Sequence, residues 1–189
     1  MKHNEYLIEH LLPMVDNIDA KKTESYTLHA LGLDRASSQS VLITMGIVCE
    51  NFWNKVISDS RSENLIEEND LVKVNNKNRQ IDHNFRSSID GVNYYLESKC
   101  NLNFDSEKIK ASNSKIREVQ QALDADVGAY FVPVISEADS KTLVKYKKQG
   151  LQVFGVKWLM SKIDTAFSEE EYFSFFRNVL GPMLEKKGL

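Results

Sequence analysis

The chain has 189 residues, 24 Lys and Arg against 27 Asp and Glu, a formal charge of −3 and 42% hydrophobic residues. That balance excludes a protein that grips nucleic acid through a global basic field, and it confines any phosphate contact to local clusters. Two cysteines cannot build a disulfide framework, no charged-then-apolar leader opens the sequence, and the longest apolar runs, such as 129–135, are too short to cross a bilayer. The expectation is one domain over residues 1–189, reduced, cytoplasmic and without a membrane span.

In chain order, Tyr6, Leu7, Leu11, Leu12 and Val15 recur at helical spacing until Pro13 interrupts, which predicts an appendage helix over about 4–15. A polar stretch at 16–25 follows. Ser37-Ser38-Gln39-Ser40 supplies N-cap residues for the strongest helix, about 38–58. Leu71–Val74 and Gln80–Phe85 read as strands joined by the turn 75–78, and 92–100 as the next strand, after a bend at Asp90-Gly91. Asp105 is a candidate N-cap for a helix running to about Leu123, with Ile109, Ile116, Val119 and Leu123 on one stripe. Residues 128–135 read as a fully buried strand, 142–148 as a helix, 151–156 as another strand and 169–187 as a closing helix.

The residues that carry chemistry lie in 80–99. On a strand Glu97 and Lys99 share a face, roughly 6.5 to 7 Å apart, while Ser98 and Cys100 point the other way. If the strand holding Asp82 pairs antiparallel with the strand holding Glu97, the bend brings the two carboxylates towards one cation. Two acids and a lysine so arranged suggest a metal-dependent nuclease. The bland alternative is a half-exposed hairpin whose Lys99 is a cross-strand partner worth only tenths of a kcal/mol. On the 38–58 helix, Val41, Met45, Val48, Phe52 and Val56 fall within about 80° of one another, and Glu50 lies at the edge of the extended apolar arc, at the seam between core and solvent. His83 follows Asp82 and so faces the other side of its strand, as a packing histidine. Cys49 and Cys100 are expected to be small buried residues.

The order helix, three strands, helix, strand over about 38–135 resembles the αβββαβ core of the PD-(D/E)XK nuclease superfamily, with appendages at 1–36 and 157–189. The resemblance implies an α/β fold with a mixed central sheet flanked by helices. It implies a site made of an acid on the first helix, Glu50; an acid early in the second strand, Asp82; and an (Asp/Glu)-x-Lys on the third, Glu97 with Lys99. Ile81 stands where the family loosely keeps a proline. By the same resemblance Asp82, Glu97 and the carbonyl of Ser98 hold Mg²⁺, Glu50 acts through water or a second ion, and Lys99 orients or deprotonates the attacking water.

The segment 95–108, Tyr-Leu-Glu-Ser-Lys-Cys-Asn-Leu-Asn-Phe-Asp-Ser-Glu-Lys, is similar to type IIS restriction endonucleases, which implies a bacterial restriction-modification setting. The chain is barely larger than a catalytic core and has no helix-turn-helix or zinc module. It resembles in particular the small catalytic subunit of a heterodimeric enzyme, in which a large partner recognises double-stranded DNA and nicks one strand while the small subunit cuts the other. A stand-alone homodimeric restriction enzyme and a non-catalytic subunit that kept the fold remain as alternatives. Candidate phosphate contacts are Lys73, Lys77 and Arg79; Lys108, Lys110, Lys115 and Arg117; and Lys145, Lys147 and Lys148.

Overall fold

The structure is a computed structural model that describes residues 4–16, 38–66, 71–74, 76–100, 106–136 and 150–186, with positions 144, 147 and 148. The expected N-cap Asp105, most of the 142–148 helix and most of the polar stretch at 16–25 lie outside the described residues. These residues group into two compact units, Met1–Phe52 with Ala166–Leu189, and Trp53–Thr165.

In the first unit the described residues are mostly helical. A π-helical turn at Leu7–Leu11 leads into α1 (Leu12–Asp16), so the helix continues through Pro13. Proline lacks the N–H of the regular ladder, and a π turn just before it relieves the crowding. Helix α2 (Ser38–Asp59) belongs to this unit as far as Phe52. Leu7, Leu11, Val48, Phe52, Tyr172 and Phe175 are buried. Phe52 stacks on Tyr172 at 6.0 Å and lies 5.7 Å from Phe167. Later helices are α3 (Ser106–Ala122) and α4 (Val156–Met160) in the second unit, then α5 (Glu169–Phe175) and α6 (Gly181–Lys186) here, the last two joined by a π segment at Phe176–Leu180. The start of α5 is a capping box in which the Ser168 hydroxyl accepts from the Glu171 N–H and the Ser168 N–H donates to Glu171.

The second unit is α/β, with a mixed five-stranded sheet in the order β1-β4-β5-β6-β7. Its strands are β1 (Glu63–Asn64), β4 (His83–Arg86), β5 (Asn93–Ser98), β6 (Val127–Val132) and β7 (Val153–Gly155), while β2 (Leu71–Val74) and β3 (Lys77–Gln80) pair separately as a hairpin. β1, β4 and β5 are antiparallel neighbours, and β5, β6 and β7 are parallel. Parallel β5 and β6 need a crossover, supplied by α3 (Ser106–Ala122). The strand expected at Gln80–Phe85 is broken: Ile81 and Asp82 lie between β3 and β4, each of which pairs with a different partner.

Alternation sorts the sheet into two covered faces. Tyr95, Tyr130, Val132 and Val153 meet Ile109, Ile116 and Val119 of α3. On the other face Phe131 meets Trp53 at 5.4 Å, and Phe154 stacks on Trp158 of α4 at 3.8 Å. The β4–β5 turn runs through Gly91, whose φ of 72° is the left-handed conformation that glycine adopts without steric cost. Among the described residues, no helix is long and apolar enough to cross a membrane.

Candidate active site

The β4–β5 register pairs His83 with Leu96, so the preceding residue, Asp82, lies across from Glu97 on the face covered by α3. The Ser98 N–H donates to Asp82 Oδ2 at 2.8 Å, which ties the carboxylate to the end of β5. Ser98 therefore meets Asp82 through its N–H. Glu97 is 4% exposed and Asp82 7%, and buried acids of this kind persist only with partners.

Lysines supply the partners. Lys99 Nζ lies 2.8 Å from Glu97 Oε1 and 3.6 Å from Asp82 Oδ2, so one ammonium is shared between both acids. Lys115 of α3 reaches Glu97 as well, donating to Oε1 at 2.6 Å and to Oε2 at 2.7 Å. The Tyr95 hydroxyl, two residues back on the same strand face, donates to Glu97 Oε2 at 2.8 Å. Burial and that bond push the Tyr95 phenol upward, so it stays protonated as a donor.

The two acids respond differently to this setting. Burial raises the Asp82 carboxyl and the neighbouring Glu97 charge raises it further, against the pull of Lys99. Burial acts on Glu97 too, but Lys99 and Lys115 outweigh it and hold Glu97 below its ordinary value. Asp82 is thus a buried acid short of positive charge beside one that is well supplied.

Among the described residues, no group of three or more His, Cys, Asp and Glu gathers as a metal cage. Two carboxylates and water nevertheless suit Mg²⁺, which keeps several waters and takes one or two carboxylates. The donor set of Asp82 and Glu97, facing each other across β4 and β5, fits a divalent cation. Glu50 sits on α2 in the first unit, half-buried and engaged in an interaction of its own.

The structure brings Asp82, Glu97 and Lys99 together as the spacing implied. Lys115 was legible only as one basic residue among several. Its position next to Ile116, at the edge of the apolar stripe of α3, was the available signal. Of the other basic candidates, Lys73, Lys77, Lys110, Arg117, Lys147 and Lys148 are exposed and Arg79 is half-buried; the side chains of Lys108 and Lys145 lie outside the described residues. His83 turns to the opposite face, is 0% exposed, and places Nδ1 2.6 Å from Asn54 Oδ1. Cys49 is buried and Cys100 half-buried, and neither is in a disulfide. A cavity of about 220 Å³ elsewhere along α3 is lined by Asn113, Arg117, Gln120 and Gln152, and none of Asp82, Glu97, Lys99 and Lys115 borders it. Comparison of the chain with family models, with curated proteins and with solved structures found no match.

Proposed function

We propose that the chain is a Mg²⁺-dependent endodeoxyribonuclease of the PD-(D/E)XK kind, with Asp82, Glu97 and Lys99 as its catalytic residues. The observation that carries the reading is the Lys99 ammonium between the two buried carboxylates, 2.8 Å from one and 3.6 Å from the other. Phosphodiester hydrolysis needs an activated water, countercharge at the phosphoryl oxygens and help for the leaving oxygen. Mg²⁺ held by Asp82, Glu97 and the Ser98 carbonyl would supply countercharge and a water of lowered pKa. The Ser98 N–H fixes Asp82, and the Tyr95 hydroxyl fixes the Glu97 rotamer, so both acids are oriented before substrate arrives. Lys99 holds a proton at Nζ within reach of a water or phosphoryl oxygen seated over the two acids, and it orients that group.

One active site cuts one strand, so a double-strand break requires a second subunit. With no excess of basic residues, the chain by itself is expected to bind duplex DNA weakly, losing about one log unit of affinity per log unit of salt for each phosphate contact. We therefore assign it as the small strand-cleaving subunit of a heterodimeric type IIS restriction enzyme, its large partner recognising the DNA and nicking the other strand. A second reading is favoured by the charge balance of the cluster. Two acids against Lys99 and Lys115 is what a structural ion network would also show, and a non-catalytic subunit would keep it.

Plasmid cleavage with Mg²⁺, with and without proteins co-expressed from the same source, separates these readings. Addition of the large subunit should convert its nick into a double-strand break. Sequence-specific double-strand cleavage by the pure chain would make it a self-sufficient homodimer, and absence of any nicking in either arm would leave the structural network.

A further inference from the structure

A carboxylate offers about four lone-pair positions, two on each oxygen. At Glu97 the described donors fill them: Oε1 takes Lys99 and Lys115, and Oε2 takes Lys115 and Tyr95. A divalent cation can reach Glu97 only if one of these donors leaves. Tyr95 is fully buried on the strand that carries Glu97, packed in the core cluster under α3, so moving its ring would open a void there. Lys99 is shared with Asp82, so its departure would leave both acids poorer in charge. Lys115 contacts Glu97 alone among the cluster's acids, lies at the end of a flexible four-carbon stem, and has a side chain 27% exposed, so it has somewhere to go. It also touches both oxygens at once, and its departure opens one position on each.

We propose that Lys115 is an exchangeable internal cation of this site. It holds Glu97 while no divalent ion is bound and yields both carboxylate oxygens when one arrives. The exchange replaces one positive charge by two on a pair of acids of which Asp82 is the undersupplied member. Lys115 is thus a positioning residue that sets how much free Mg²⁺ is needed before the site fills, and the inference rests on the metal-dependent reading above.

The test is calorimetric titration of the full chain with Mn²⁺, and separately with Mg²⁺, in the absence of DNA. Lys115→Met keeps the stem and removes the competing charge, and it should bind the ion about tenfold more tightly, the equivalent of one charge-assisted hydrogen bond no longer broken on binding. Thermal melting should show a lower Tm for Lys115→Met without metal and a larger upward shift on adding it than for wild type. Lys115→Arg keeps the charge with a fork that matches a carboxylate better, and it should bind the ion more weakly than wild type. If Lys115→Met does not fold, the arginine variant decides by the same titration. Wild-type binding together with equal or weaker binding by Lys115→Met, or equal binding by Lys115→Arg, overturns the exchange while leaving the metal site intact. Absence of ion binding in wild type and Lys115→Met alike overturns the metal-dependent reading and the exchange with it; where wild type binds, Asp82→Asn should lose binding and so marks the site.

Discussion

The neighbours Asp82 and His83, at the start of β4, solve the problem of a buried titratable group in opposite ways, on opposite faces of the sheet. On the α3 face the charges are kept: Lys99 pairs with Asp82 and Glu97, Lys115 pairs with Glu97, and the cluster remains partly open to water through the lysine stems. On the other face the charge is given up. His83 is fully buried, pairs through Nδ1 with Asn54, meets Phe131 edge-on at 5.8 Å, and has no partner for Nε2 among the described residues. Burial first, then Lys99, lower its pKa to about 3 despite the opposing pull of Glu97. The first face carries lysine countercharges that reach solvent, whereas the second has room only for a neutral ring. The proposed chemistry rests on the first face, and the second contributes to the core.

The strongest way to break that division is to remove charge on the α3 face. Asp82→Asn and Lys99→Ala should each lower Mg²⁺-supported plasmid nicking by at least about a hundredfold, the lower end of what a positioned proton-transfer or charge-bearing group contributes. Both should fold. Asparagine can still accept from the Ser98 N–H, and without Lys99 the Lys115 and Tyr95 donors still hold Glu97. Melting and nicking are measured together, and a fall in Tm without selective loss of nicking would return the cluster to the role of an ion network.

His83 should show the reverse pattern. Its pKa in the folded chain lies below the value near 6.5 of an exposed histidine, so the unfolded state takes up the proton first as pH falls. Its contribution is present above pH 6.5 and is lost as pH drops from there towards 3, at about 1.4 kcal/mol per pH unit. Denaturant midpoints measured across that range should fall with pH for the wild type and flatten for His83→Gln. A wild-type profile that is level from pH 6.5 to 4 would show that the ring is not held neutral.

Gly128 probes how α3 is seated over the charged face. A Cβ there would lie 2.7 Å from Oε1 and 2.9 Å from Cβ of Gln120, whose amide caps the Ala125 and Asp126 carbonyls. Gly128→Ala should therefore cost about 1–3 kcal/mol as overpacking, read from chemical denaturation. Unchanged stability would mean that α3 shifts freely.

The smallest effect is expected at Glu50. If Glu50 has the role that the resemblance implies, Glu50→Gln should reduce nicking at low Mg²⁺ and recover at high Mg²⁺, and wild-type behaviour across the titration would leave it without a part in cleavage.

Much of the charged face was legible because it depends on local geometry. Strand alternation puts Glu97 and Lys99 on one side whatever the rest of the chain does, and the Asp90-Gly91 turn brings Asp82 opposite. The same alternation sent His83 away. The helix over Ser38–Asp59 followed from its periodicity. The separation of the β2–β3 hairpin from the main sheet was not legible, since a period of two says which face a residue takes but not which strand it pairs with. The short strand β1 and the five-residue α4 were missed for a related reason: two to five residues carry no period.

What the sequence determined by itself is the inventory and the facing of the groups: two acids and a lysine on one side of a hairpin, a histidine on the other. The backbone repeat of strand and helix enforces that without reference to any other element. Only the tertiary structure decided how those charges are satisfied. Lys115 lies eighteen residues beyond Glu97 on a helix, and it meets both carboxylate oxygens only because the apolar stripe of Ile109, Ile116 and Val119 sets α3 down on Tyr95, Tyr130 and Val132. Hydrophobic burial is non-directional and fixes where a helix lies rather than what its polar edge touches. The ion pair that completes the site is therefore a consequence of core packing, which no spacing in the chain encodes.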